Sequence, residues 1–236
     1  MNLKNKYASL LIIMFLSQEG KAQYTYQTAV LLHKLDSIRS SSSVAKYFAD
    51  IYFATTANAV LYFSNADTSV QKMMGRMELR FADYFLRSAD AHEKKLPIPG
   101  EWKTYYADKN ASSLRYILFG INAHINGDIW QALTNEFSKE EIQELKPHYF
   151  AYYQQLLREY RLVYDQAFIR SKRLRVLHTI SFGMDELYGK IMLKRWRKRQ
   201  MQLAELYFDD KPLFDKKLKR LRKKMDRLDD LIRRNT

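Results

Sequence analysis

Seven glycines and four prolines are the only strong helix breakers in 236 residues, and that scarcity limits the chain to long helices more firmly than any motif does. A β fold needs frequent turns, which Gly, Pro, Asn and Asp supply. Here Leu, Tyr, Phe and Lys are abundant, and no run of alternating Val, Ile and Thr is long enough to propose a sheet. Hydrophobic residues make up 47% of the chain, enough at this length for one good-sized core, or a core plus an appendage. The expected class is all-α: a multi-helix bundle with a basic C-terminal helical hairpin.

Residues 1–22 read as an export signal. Lys4 and Lys6 give a positive start, Tyr7 to Leu16 is an apolar run broken only by Ser9, and Gly20-Lys21-Ala22 places small residues for cleavage before Gln23. That run is too short for a bilayer span of roughly 20 residues. The sequence has no cysteine, so disulfides, lipoprotein acylation and thiolate metal centres are excluded. The expected location is periplasmic or extracellular, with stability supplied by helix packing.

The expected organisation is a helical core domain over 23–188 and a basic hairpin over 189–236. Gln23 to Arg39 carries Val30, Leu31, Leu35 and Ile38 at helical spacing. Ser40 to Ser43 breaks the chain before an aromatic-rich helix from Val44 to Ser64, and a third helix runs from Ser69 to Glu93. Leu96-Pro97-Ile98-Pro99-Gly100 is a loop, followed by a short helix holding Trp102. Ser112 or Ser113 can cap a long helix through Leu133, with Gly127 inside it or a break at Asn126-Gly127. Ser138 to Glu141 fits a capping box. Further helices are expected from Pro147 to Arg170 and from Leu174 to Tyr188.

One stretch concentrates chemistry. In Leu118 to Leu133, Asn122, His124, Asn126 and Asp128 interrupt an apolar run. His124 and Asp128 are four apart, so on a helix they share a face. Such a pair suits one divalent ion such as zinc, or it is a buried polar cluster in which Asp128 and Asn122 satisfy the imidazole. The other histidines, His33, His92, His148 and His178, form no second pair of this kind. Glu78, Asp83, His92 and His178 are the candidates for a third ligand.

The segment Phe119-Gly120-Ile121-Asn122-Ala123-His124-Ile125-Asn126-Gly127-Asp128-Ile129 resembles the G-M-N-A-H-I-N-x-D-L signature of an uncharacterised bacterial family, with Ile121 for Met and Ile129 for Leu. Tyr52, Thr55-Thr56, Arg80 to Leu86, Pro99 and Trp102 fall in the order that family shows. The resemblance spans Ile51 to Leu133 and leaves out the basic tail. It implies a helical domain, supplies no activity, and makes Asn122, His124, Asp128, Arg80 and Trp102 the candidate site. The same segment is similar to the H-x-x-G-D-x-H-Q-P-L-H motif of the zinc-dependent phospholipase C and P1 nuclease superfamily, exported helical enzymes that cleave phosphate esters. His124, Gly127, Asp128, Gln131 and Leu133 match. Trp130, Ala132 and Thr134 depart from the motif, and no tryptophan stands at the mature start.

From Gly189 onward there are seventeen Lys and Arg against seven Asp and Glu. Phe214, Leu218, Leu221, Met225, Leu228 and Ile232 form a heptad seam, and Asp210-Lys211-Pro212 is a helix start. The bases suit an anionic membrane surface or another polyanion, with Trp196 as an interfacial anchor. The interleaved Asp215, Asp226, Asp229 and Asp230 instead favour a solvated face whose seam docks on the core or on a second copy, a homo-oligomer. Seventeen tyrosines at helical spacing read as core with hydroxyls at the rim. There is no G-x-S-x-G elbow, cysteine nucleophile or Gly-rich phosphate loop. Two function classes follow: a structural or binding protein of the cell envelope, or a metal-dependent hydrolase acting on phosphate esters.

Overall fold

The computed structural model describes residues 24–158 and 184–236, with side chains from 189 in the second segment. The export signal, His178 and the stretch from Glu159 to Gly183 lie outside the described residues. The described residues are mostly helical, and no strand occurs among them. We number the helices α1 (24–39), α2 (Lys46–Phe63), α3 (Thr68–Glu93), α4 (Lys103–Ala107), α5 (Ser113–Ile121), α6 (Ile129–Glu136), α7 (Lys139–Arg158), α8 (Met184–Asp209) and α9 (Lys211–Asn235). A 3₁₀ turn, Gly100–Trp102, leads into α4.

Local chemistry sets the boundaries. Ser112 Oγ accepts from the Arg115 amide at 3.1 Å and opens α5, and Asp210 Oδ1 accepts from the Leu213 amide at 2.9 Å and opens α9. Each satisfies one of the amides that a helix start leaves without a partner. The capping box also forms, Ser138 Oγ accepting from the Glu141 amide and Glu141 Oε2 from the Ser138 amide. That box moves the start of α7 to Lys139, so Pro147 lies inside the helix and does not begin it. An interior proline costs about 3 kcal/mol. Ile142, Leu145, Tyr149 and Tyr152 are all buried on one face, and at about 1.5–3 kcal/mol each their burial outweighs it. In α1, Leu31 and Leu35 are buried as expected, whereas Val30 is exposed.

Between α5 and α6 the rod neither stays regular nor breaks: Asn122–Asp128 winds as a π-helix. A π turn widens the helix and frees backbone groups. Here the Gln131 side chain donates to the Gly127 carbonyl at 2.8 Å. The segment is central: α2 packs on α5, α3 and α8 on α6, and both α8 and α9 reach the π turn.

The hairpin is a wall of the bundle. Phe214, Leu221, Met225 and Ile232 of its seam are buried, with Leu218 and Leu228 partly so. Lys139 and Lys146 on α7 pair with Asp209 and Glu205 on α8 at 2.6 Å. Among the described residues no helix is long and apolar enough to cross a membrane.

Two glycines permit the closest approaches. A Cβ on Gly120 would lie 2.4 Å from Phe48 Cδ2, and one on Gly127 would lie 2.5 Å from Glu101 Cγ. Alanine at 120 gains about 1 kcal/mol of helix propensity and forces the Phe48 ring aside. We expect Gly120→Ala to destabilise by about 1–3 kcal/mol net in chemical denaturation. Gly100→Ala, where a Cβ meets nothing within 4 Å, serves as the control and should leave the midpoint nearly unchanged.

Candidate functional site

The π turn carries Asn122, His124, Asn126 and Asp128 inward, and all four are buried. His124 Nδ1 lies 2.9 Å from Asp128 Oδ2. The same oxygen accepts from the Trp102 indole N–H at 3.1 Å, which ties the 3₁₀ turn to the central rod. Trp102 can only donate, so the Asp128 carboxyl group orients both the indole and the imidazole. His124 Nε2 is buried and has no hydrogen-bond partner.

Aromatic rings enclose the imidazole. Phe81 of α3 stacks on it with centroids 3.5 Å apart, and Tyr52 of α2 meets it edge-on at 4.4 Å. Burial, helped by the positive charge of Arg197, holds the histidine pKa well below its usual value, so the ring is neutral. Burial likewise raises Asp128 well above the carboxylate range, against the Trp102 hydrogen bond.

A second line of polar contacts runs to the hairpin. Asn122 Nδ2 donates to Asp229 Oδ1 at 2.7 Å and to the Met225 carbonyl at 3.1 Å. Its Oδ1 accepts from Asn126 Nδ2 at 2.9 Å. Asn122 therefore fastens α9 to the π turn, and His124 is held from the other side by Asp128.

Beyond the imidazole lies a cavity of about 320 Å³. Ile51, Leu118, Ile121, Leu228 and Leu231 form much of its apolar wall, and Tyr52, Thr56, Glu78, His124 and Arg197 bring polar groups to it. Glu78 is buried, and desolvation raises its pKa to about 7 against the opposing effect of Arg197.

The structure therefore brings together His124, Asp128 and Trp102, while Asn122, expected to help satisfy the imidazole, bonds Asp229, Met225 and Asn126 instead. Arg80 is elsewhere, on α3, reaching Glu136 at 3.2 Å and Asp83 at 3.8 Å. Of the third-ligand candidates, Glu78 shares the cavity with His124. Asp83 pairs with Arg87 as well at 2.7 Å, and His92 stacks on Tyr106. A zinc site takes three or four protein ligands. Among the described residues no three His, Asp or Glu side chains converge to hold an ion.

Arg197 is the site residue that sequence reasoning missed, because it sits in the charge-dense run Lys194 to Arg199. Its signal was spacing. Leu193, Arg197, Gln200, Met201 and Ala204 form the buried stripe of α8, and Arg197 occupies an apolar position in it.

Residues 28–234 match the family model described as a family of unknown function, DUF5995. The chain belongs to that family, an uncharacterised one, and its members are thereby expected to share this helical fold. The match runs through the basic hairpin, which the signature around His124 does not reach. No protein of described function and no solved structure shows a significant match.

A raised carboxyl pKa makes stability depend on pH. With Glu78 moved from 4.5 to about 7, the folded state binds the extra proton between those values. Its contribution is therefore most favourable below the unfolded pKa and is lost as pH rises through about 7. We expect the wild type to lose on the order of 3 kcal/mol relative to Glu78→Gln between about pH 4 and pH 8. Parallel denaturation midpoints for the two proteins across that range would contradict this account of Glu78.

Proposed function

We propose that this is an exported binding protein of the cell envelope, whose ligand is a small, mainly apolar molecule held in the cavity beside His124. The observation that carries the reading is the cavity itself. Its volume of about 320 Å³ falls at the small end of ligand sites, roughly 300–1,000 Å³, and such sites combine apolar walls with a few polar groups that fix orientation. Helices α2, α3, α5, α7, α8 and α9 and the π turn all contribute to the lining, and a π turn is a frequent companion of function. Export rests on the N-terminal signal pattern. The exposed bases of α9, among them Lys216, Lys217, Arg220 and Lys224, suit an anionic envelope surface at roughly 1 kcal/mol per base.

The experiment combines a binding titration with an intact mass. The environment-sensitive anilinonaphthalene sulfonate should bind saturably, one per chain. Thr56→Trp, which fills the cavity, should abolish binding while the helical circular dichroism persists. Unsaturable binding, or binding unchanged in the filled variant, would count against the reading. Protein expressed with its first 22 residues should have the mass of a chain starting at Gln23.

The hydrolase reading is favoured by one observation. A metal-bound histidine commonly donates its other ring N–H to a carboxylate, and Asp128 stands where such a partner would. On that reading His124 Nε2 is a ligand and Asp128 orients the imidazole. Elemental analysis after chelation and zinc re-addition separates the two. Stoichiometric zinc that is lost in His124→Ala supports the hydrolase, and zinc-free protein supports the binding protein.

A further inference from the structure

Arg197 is a cation inside the fold. It is 7% exposed on α8, its Nε makes no hydrogen bond, and its guanidinium carbon lies 5.7–6.0 Å from the ring centroids of Tyr149, Tyr152 and Tyr153. No ion pair joins it to an acidic side chain among the described residues. A buried cation without a matched anion is costly, and aromatic faces compensate only part of that cost. The charge also lines the cavity, close enough to act on both Glu78 and His124. His124 Nε2 is a second unpartnered polar atom at the same wall.

Resting on the cavity-binding reading above, we propose that the ligand is an anionic amphiphile, a straight-chain carboxylic acid whose carboxylate lies between Arg197 and His124. Its alkyl chain runs along Ile121, Leu228 and Leu231 toward the surface, where Leu231 is 58% exposed. The head supplies a carboxylate in direct contact with Arg197, whose charge otherwise acts on Glu78 across the same cavity. The guanidinium gives the head charge-assisted hydrogen bonds, stronger than neutral ones, and the neutral imidazole donates from Nε2–H while its Nδ1 accepts from the protonated Asp128 carboxyl. The tail replaces water against apolar wall, which provides most of the driving force.

Glu78 makes the site sensitive to pH. Its carboxyl shares the cavity and is half ionised near pH 7. The groups that act on it or feel its charge are Tyr24 from α1, Tyr52 from α2, Tyr149 from α7 and Arg197 from α8, with His124 from the π turn at the same cavity. The tyrosines stay neutral, since their pKa values are raised. When Glu78 ionises it repels a second carboxylate and competes for Arg197, so affinity falls as pH rises. Fatty carboxylates remain ionised above about pH 6, given an ordinary carboxyl pKa near 4–5, so the dependence belongs to the protein.

The test is calorimetric titration of the full chain with decanoate and, separately, decanol. Decanoate should bind one per chain, more tightly at about pH 6 than at pH 8, while decanol binding stays flat. Arg197→Gln should weaken decanoate on the order of tenfold or more and leave decanol unaltered, which also reports an intact cavity. Glu78→Gln should remove the pH dependence. If decanol and decanoate bind equally and Arg197→Gln weakens neither selectively, the anionic head is wrong although the cavity reading stands. If neither binds the wild type, the cavity reading itself fails. If Arg197→Gln loses both ligands through misfolding, the Glu78→Gln profile decides, and a pH dependence that survives there overturns the proposal.

Discussion

One carboxyl oxygen, Oδ2 of Asp128, receives the Trp102 indole and faces the His124 ring. Much of the fold hangs on that junction. Trp102 is the anchor of the loop that follows α3, and it packs against Phe48, Phe85 and Tyr105. His124 sits against Phe81 and Tyr52. The oxygen thus joins α2, α3 and the 3₁₀ turn to one point on the central rod. In a low-dielectric interior a polar group so placed is costly if it loses a partner, which makes the arrangement specific as well as stable. The π turn is what allows it, by widening the rod where four polar side chains must face inward together.

The helical class and most helix starts were legible because they depend on local chemistry. Ser112, Ser138 and Asp210 cap because a short oxygen side chain at that position meets a free amide, whatever lies across the core. The His124–Asp128 pairing was legible for the same reason, since helical spacing alone brings them to one face. Pro147 misled because its cost is local and the burial that overrides it is tertiary. The π turn was hidden too: Asn126-Gly127 carries a turn signal, and only contacts with Glu101, Met225 and Asp229 decide how the backbone absorbs it. Arg197 was invisible for another reason. Its neighbours in sequence are surface bases, and its role is defined by what α7 and α3 place around it.

The hairpin has two faces with different physics. Its outer surface is a dense array of exposed bases, and its inner surface supplies Met225 and Asp229 to Asn122, Leu228 and Leu231 to the cavity, and Arg197 to the polar wall. Removing it would therefore do more than discard charge. It would open the cavity and strip Asn122 of two partners. Function attached to the basic surface is better probed by neutralising exposed lysines on α9 than by truncation. That residues 28–234 match one family model accords with a hairpin integral to the fold.

A hollow interior is expensive to keep. Apolar walls that no side chain covers forfeit packing contacts, and here a cleft of about 320 Å³ is left with largely apolar walls between the helices. Typical domains have only about 5–15 kcal/mol of net stability. This one also buries Arg197 and Glu78 at the same place, each opposed by desolvation. Larger apolar residues at Thr56 or Glu78 would relieve both costs within the same helices. Marginal sequences drift toward tolerable stability and not toward an optimum, which explains an isolated defect. Three coincident costs converging on one wall, around an imidazole with a free nitrogen, are harder to explain as drift than as a site whose stabilising partner is the molecule it binds.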